Sequence, residues 1–453
     1  MDLGDRKEIL ENLKYLISVH DIPKLKNIII DIHPADMADI IRDLDTPEGD
    51  YIFRLMNSRE AADVMLELDE VSRDQLIEDL GIDRLSEMVG NMDSDDATDV
   101  LSELSKSVAQ QVLKRLDKED RAEVEKLIVH EEDSAGGLMA LEFVAVFEDE
   151  TVDDAIQKIR QKAQEVDQLF YVYAVDHQQR LVGVVPLKKL LLSKRDMHIR
   201  DIMNTDVISV TAEKDQEQVA NIVRRYDLVA IPVVDDENRL VGKITIDDVL
   251  DVLHEEATED MQIMAGIADD EIPQEMSTLR ISRFRLPWLL VAFAGEVGSA
   301  FIMRAFEASI QQIVATAFFI PLIMAMGGNS GIQASTIVVR SIALEEGGTT
   351  NRWARFFREL RVALLNGFVM SVLIFFMVYA FFSEDPLFGV VIGLSMLVVM
   401  VNAALVGAVV PYVLNRFKYD PAIATGPFIT TSNDVLGLFI YLSMSLAYLT
   451  YLR

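Results

Sequence analysis

The 453 residues carry 74 Asp and Glu against 42 Lys and Arg, a formal net charge of −32; half of them are hydrophobic and none is cysteine. So acidic a chain repels nucleic acid and anionic headgroups and attracts cations, and without cysteine it has neither disulfides nor a thiolate metal site. Charge and hydropathy split it: nine acids and 12 bases lie from Arg280 onward, leaving 65 acids against 30 bases before, a net −35. An acidic front thus precedes an apolar back, and the length admits about two to four units. The first ten residues are charged and lack an apolar core, so no signal peptide is expected.

Four stretches of the front read alike: 32–40, 56–64, 92–100 and 116–124. Each has an acid at its fifth and eighth places and a β-branched residue at its ninth, with Ala at the seventh except for Thr98; the starts fall 24, 36 and 24 residues apart. Such self-similarity predicts short stacked helices, none able to bury its face alone. Acids at helix starts suit the macrodipole, and most of them need no ligand. The denser group Asp93, Asp95, Asp96 and Asp99 is the better metal candidate, with Asp95 and Asp99 one helical turn apart.

Next comes a duplication. Tyr173-Ala174-Val175-Asp176 with 180–185 recurs 59 residues later as Pro232-Val233-Val234-Asp235 with 239–244. Each copy reads as strand, polar hairpin and strand, with a helix before (152–162; 216–226) and another after. This resembles a tandem pair of CBS domains, an α/β module. The ribose-binding pattern of that family is present as Gly242, Thr245 and Asp248, whereas Pro186 and Lys189 stand in the first copy. The resemblance therefore implies at most one adenine-nucleotide site, for ATP or a similar ligand, at Thr245 and Asp248; a structural or ion-sensing pair is the alternative.

The helix after the second copy runs on through Asp247, Asp248, Asp251, Glu255, Glu256, Glu259 and Asp260. Residues 247, 251, 255 and 259 form an i, i+4 row, where like charges destabilise by roughly 0.2–0.5 kcal/mol per pair unless neutralised. Divalent cations would neutralise them, and hard oxygen donors suit Mg²⁺ or Ca²⁺. A solvated acidic linker is the alternative.

Five apolar segments follow, 286–303, 313–343, 362–382, 387–414 and 422–452, each reaching the roughly 17–25 residues that span a bilayer. With the soluble part inside, ten of the 12 bases fall on the cytoplasmic side and only Arg304 and Arg453 outside, which orients the chain N-in and C-out. In the second segment Pro321 and the stretch Gly327-Gly328-Asn329-Ser330-Gly331-Ile332-Gln333 read as an interruption, tolerated where it packs on protein or lines water. The fifth holds Asp434 near its middle, where an ionised side chain costs roughly 2.5–3.5 kcal/mol. Gly426, Pro427, Thr430, Thr431, Ser432 and Asn433 precede it, and Pro427 is expected to free carbonyls beside the carboxylate. Together they predict an oxygen-lined cation path, with a structural Asp satisfied by a neighbouring helix as the alternative. All six histidines (His20, His33, His130, His177, His198, His254) lie before the apolar part, which removes histidine-based hydrolase chemistry there. The glycine stretch lacks the Lys-Ser/Thr of a P-loop, so no enzyme is expected.

The whole chain resembles the MgtE family of magnesium transporters, on the helical repeat, the CBS pair, the acidic helix, the five spans, Gly327-Gly328-Asn329-x-Gly331-x-Gln333, Asp420-Pro421-Ala422, Gly426-Pro427 and Asn433-Asp434. That resemblance implies a multidomain membrane protein: a superhelical α-helical N domain (1–134), the CBS pair (135–253), a connecting or plug helix (254–279) and a five-helix all-α transmembrane domain (280–453). It implies a homodimer in the cytoplasmic or inner membrane with Asp434 as pore carboxylate, and Asn433, Thr430, Pro427, Gly426, Asn329, Gln333 and Gly328 complete the candidate path. Candidate ligands for regulatory Mg²⁺ are Glu60, Asp95, Asp99, Asp235, Asp247, Asp248, Asp251, Glu255, Glu256, Glu259 and Asp420. The implied mechanism is feedback, with cytosolic Mg²⁺ holding the path shut. A nucleotide-regulated transporter of Co²⁺, Mn²⁺ or Ca²⁺ and a membrane-anchored Mg²⁺ sensor without transport are the rival readings.

Overall fold

The structure, a computed structural model, describes residues 3–162, 166, 168–267, 278–343, 352–381 and 385–451. Two compact units divide it near residue 253, and each is described by itself.

The first unit opens with ten helices: α1 (Leu3–Ser18), α2 (Ile22–Asp31), α3 (Pro34–Asp43), α4 (Thr46–Leu55), α5 (Ser58–Leu66), α6 (Glu70–Asp79), α7 (Ile82–Val89), α8 (Ser94–Glu103), α9 (Lys106–Leu113) and α10 (Lys118–Leu127). The four repeated stretches become α3, α5, α8 and α10, their fifth-place acids in the first turn. Packing stays local in sequence, α3 on α5, α5 on α7 and α7 on α9, around buried Met37, Ile40, Phe53, Met65, Leu85 and Val100, as stacked repeats require.

Two three-stranded sheets follow. In one, β1 (Ala145–Phe147) runs parallel to β2 (Tyr171–Val175), which is antiparallel to β3 (Leu181–Pro186); in the other, β4 (Val210–Thr211), β5 (Ala230–Val234) and β6 (Leu240–Thr245) repeat that order. Helices α11 (Val152–Lys162), α12 (Leu187–Leu192) and α13 (Ile199–Ile202) accompany the first sheet, and α14 (Gln216–Tyr226) and α15 (Ile246–Met264) the second. The copies match to the residue: bulges fall at Ala174/Val175 and Val233/Val234, and the hairpin residues Gln179 and Asn238 both take positive φ, 64° and 61°. The hairpins also bind each other, Leu181 N donating to Asn238 O at 2.9 Å and Leu240 N to Gln179 O at 3.1 Å.

The second unit holds α16 (Thr278–Ala305), α17 (Glu307–Gln312), α18 (Ala315–Ala343), α19 (Arg352–Phe381), α20 (Pro386–Arg416), a 3₁₀ turn at Pro421–Ala424 and α21 (Gly426–Tyr451). Five of these helices are long and apolar enough to cross a membrane. Helix α20 packs against α18, α19 and α21, and its small residues let backbones meet: Gly407 lies against the carbonyl of Gly331, and Gly393 against that of Ser371.

Two local expectations are corrected. Helix α18 runs unbroken through Pro321 and the glycine stretch, because Gly327 and Gly331 are filled by Asn433, Val399, Ile429 and Ala403 from neighbouring helices rather than by a bend. Pro427 falls in the first turn of α21, where the missing N–H has no helical acceptor to lose, so it frees no carbonyl near Asp434; the span itself begins at Gly426, after the turn that holds Ala422. Residues 268–277 of the expected connecting helix, and the span ends Phe382 and Leu452, lie outside the described residues.

Candidate ion path and metal centres

In the membrane unit Asp434 sits on α21, and α16 fixes what faces it. Gly295 of α16 lies against the Thr431 side chain and Gly298 against Val435, a register that brings Glu296 into hydrogen-bonding reach of Asp434, as Asn433 is. Asn433 is 3% exposed. Its Nδ2 donates to the Met324 carbonyl at 2.9 Å, while Oδ1 is buried without a partner among the described residues. Thr430 Oγ1 donates to the carbonyls of Gly426 and Pro427 at 3.2 and 3.1 Å, and Gly328 faces Thr430 and Asn433. Gly328, Thr430 and Asn433 therefore gather where α21 meets α18, with Asp434 beside Asn433 and facing Glu296 of α16. Asn329 and Gln333 do not join them; both stay exposed on α18, one turn apart.

The C-terminal end of α15 reaches the start of α21. Gly426 has φ +42° and no room for a side chain beside the Met264 carbonyl, and Gly266 (φ +76°) lies against Pro427. Both glycines are thus demanded twice, by dihedral and by contact. Close by, Asp420 caps the 3₁₀ turn by accepting from Ala422 N at 2.8 Å, and its Oδ2 is buried without a partner among the described residues. Burial raises the Asp420 carboxyl; burial, and then the charge of Asp420, push Asp260 up to about 6.

A second acidic centre is built inside the first unit at the start of α8. Glu142 accepts from Ser94 N at 3.0 Å and from Ser94 Oγ at 2.9 Å, and Ser94 Oγ accepts from Leu141 N at 2.9 Å. This brings carboxylate oxygens of Asp93, Asp95 and Glu142 within 4.8 Å of one another. Asp95 is only 9% exposed, and burial followed by the charge of Asp248 drives its carboxyl well above the usual range. The same two causes push Asp96 up to about 7, while burial lifts Asp248 to about 6 against hydrogen bonds from Thr245 that lower it. Thr245 donates to Asp248 Oδ2 from its N at 2.9 Å and from Oγ1 at 2.7 Å; its Oγ1 also contacts Asp247, which accepts from Gln168 Nε2 at 2.9 Å. An all-carboxylate donor set this crowded fits a hard divalent cation.

The remaining acids divide. Asp247, Asp251 and Glu255 lie exposed along α15, with Glu256 and Glu259 half-buried. Asp99 is exposed, one turn beyond buried Asp95. Glu60 closes a capping box on α5, accepting from Asn57 N at 3.1 Å. Asp235 holds a hairpin turn, accepting from Arg239 N at 2.8 Å and from Arg239 Nε at 2.7 Å. Neither Glu60 nor Asp235 is among the acids that the structure gathers round Asp95. Two acids escaped the sequence. Glu142 stands 48 residues from Ser94 and carried no local signal. Glu296 did carry one, being an acid inside an apolar span like Asp434.

Family models match three parts of the chain: MgtE, described as a divalent cation transporter, over 320–444; the MgtE intracellular N domain over 32–133; and CBS domains over 135–195 and 199–255. The magnesium transporter MgtE of Thermus thermophilus is 38% identical over 332 residues, 73% of each chain. That of Bacillus subtilis is 33% identical over 440 residues, 96% of this chain and 97% of the relative. Among solved structures, the cytosolic domain of the Mg²⁺ channel MgtE in complex with ATP is 34% identical, with a TM-score of 0.52, covering 54% of this chain and 99% of that one.

Proposed function

The chain belongs to the MgtE family of magnesium transporters, and from that premise we propose that it is a Mg²⁺-selective channel, closed by Mg²⁺ on its soluble side. The observation that carries the path is Asp434 on α21, with Glu296 of α16 and Asn433 within hydrogen-bonding reach, beside Asn433 and Thr430 where they meet Gly328 of α18. Mg²⁺ gives up its water reluctantly, so Asp434 holds the hydrated ion through outer-shell contacts while the carbonyls and hydroxyls nearby order its water. The ion's electrochemical gradient drives flux. The working unit is a homodimer in the cytoplasmic membrane, N-terminus inside.

Regulation follows from the two acidic centres, Asp93, Asp95, Asp96, Glu142 and Asp248 in one unit and Asp260 with Asp420 in the other, supported by the row Asp247, Asp251, Glu255 and Glu259 on α15. Each centre crowds like charges, which repel unless a cation joins them. Plentiful Mg²⁺ holds them together and keeps the end of α15 seated on Gly426 and Pro427; scarce Mg²⁺ lets them part. In proteoliposomes, wild-type Mg²⁺ flux is expected to fall as soluble-side Mg²⁺ rises, and neutralising Asp247, Asp251, Glu255 and Glu259 together is expected to remove that inhibition. Absence of any divalent flux would leave the membrane-anchored sensor in its place.

The CBS pair is assigned a regulatory adenine nucleotide at Thr245 and Asp248, on the likeness to the cytosolic domain solved with ATP. Thr245→Val is expected to weaken ATP binding roughly tenfold, as loss of a hydrogen bond to a charged group does. Calorimetry showing wild-type affinity in that variant rules the assignment out.

A further inference from the structure

We infer that Glu296 is a second carboxylate of the ion path, acting with Asp434 as a pair that sets the preference for divalent over monovalent cations. The inference rests on the ion-path reading of Asp434. The two side chains come from different spans, Ile281–Ala305 and Gly426–Tyr451, and are held together by the fit of Gly295 on Thr431 and Gly298 on Val435. A side chain in place of Gly295 would meet Thr431 and push α16 off α21, whereas Gly298 lies in ordinary contact with Val435; the close fit at Gly295 keeps the carboxyls within reach.

Three further observations point to a cation. Glu296 is exposed on the chain although it lies inside an apolar span, and an ionised group at that depth is stable only facing a wet path or protein. No basic side chain is among the groups acting on Asp434, so its charge beside Glu296 is not offset there by a cation of the protein. A buried polar atom near the pair is also unspent among the described residues: Oγ of Ser299, 6% exposed and one turn from Glu296 on α16. Two carboxylates with carbonyl and hydroxyl oxygens around them present the charge and the donors that a hydrated divalent ion matches and a monovalent ion half neutralises.

The test measures Mg²⁺ and K⁺ flux in proteoliposomes of the full chain for wild type, Glu296→Gln, Glu296→Asp and Asp434→Asn. Glu296→Gln is expected to raise the Mg²⁺ concentration for half-maximal flux at least tenfold and to lower the Mg²⁺ to K⁺ flux ratio by a similar factor; Glu296→Asp, which keeps the charge, should stay within about threefold of wild type. Equal damage by Glu296→Gln and Glu296→Asp makes the residue a packing element and overturns the inference. So does a wild-type flux ratio in Glu296→Gln while Asp434→Asn is dead, an outcome that leaves the path intact. If Asp434→Asn also conducts normally, the ion-path reading itself falls.

Discussion

Asp434→Asn is expected to lower Mg²⁺ flux at least about 100-fold while leaving the chain folded. The substitution is nearly isosteric, so the packing of α21 on α16 and α18, through Thr431 on Gly295 and Asn433 on Gly327, has no reason to move. What it removes is charge. At an effective dielectric of about 20, a unit charge 4 Å from another is worth about 4 kcal/mol, and a divalent ion doubles that. An outer-shell ion stands farther off, which reduces the figure, yet each 1.36 kcal/mol lost from the barrier's stabilisation is about tenfold in rate. Two such steps give the stated floor. Fluorescent Mg²⁺ uptake into proteoliposomes measures it, with circular dichroism and melting temperature as the control for folding. A folded variant with more than half of wild-type flux contradicts the assignment of Asp434 to the path. A variant that no longer folds assigns Asp434 to structure.

Much of this architecture is legible in the chain, for reasons that differ from part to part. Stacked helices announce themselves because each copy needs the same first-turn acid and apolar face, and α3, α5, α8 and α10 follow that spacing. The duplicated α/β module is legible down to its bulges, since each copy solves the same hairpin problem. Local rules fail where a distant partner decides. Glycine costs about 1 kcal/mol in a helix interior, which made the stretch from Gly327 to Gly331 look like a break; Ala403, Ile429 and Asn433 fill the space those glycines leave, and the helix continues. The acidic centre shows the same limit. Asp95 and Asp99 are equivalent by spacing, but Glu142 and Asp248 gather round Asp95 and Asp96, from segments that no periodicity joins to α8. Glu296 is the opposite case: the rule that singled out Asp434 applies to it unchanged.

The acidic centre at α8 makes the thermal stability of the full-length chain fall with rising pH, a trend that Mg²⁺ opposes. Asp96 titrates near 7 and Asp248 near 6 in the fold, against about 3.9 in an unfolded chain. Their folded values are raised, so their contribution is fully present below about pH 4 and is lost as pH climbs through 6 to 7, because the unfolded chain releases those protons first. In metal-free buffer the melting temperature should therefore fall across that window and level off above it. Mg²⁺ binds the ionised centre, so at 100 times its dissociation constant it adds about 2.7 kcal/mol, and the gain is larger at pH 8 than at pH 5.5, where protons compete for the same oxygens. Asp96→Asn with Asp248→Asn shrinks the metal-free decline, leaving the part that Asp95 contributes, and removes most of the Mg²⁺ gain attributable to this centre. Scanning fluorimetry of the detergent-solubilised chain at pH 5.5 and 8, with and without Mg²⁺, decides the matter. A Mg²⁺ gain that is the same at both pH values, or that survives the double substitution undiminished, locates the binding elsewhere and takes this centre out of the regulatory scheme.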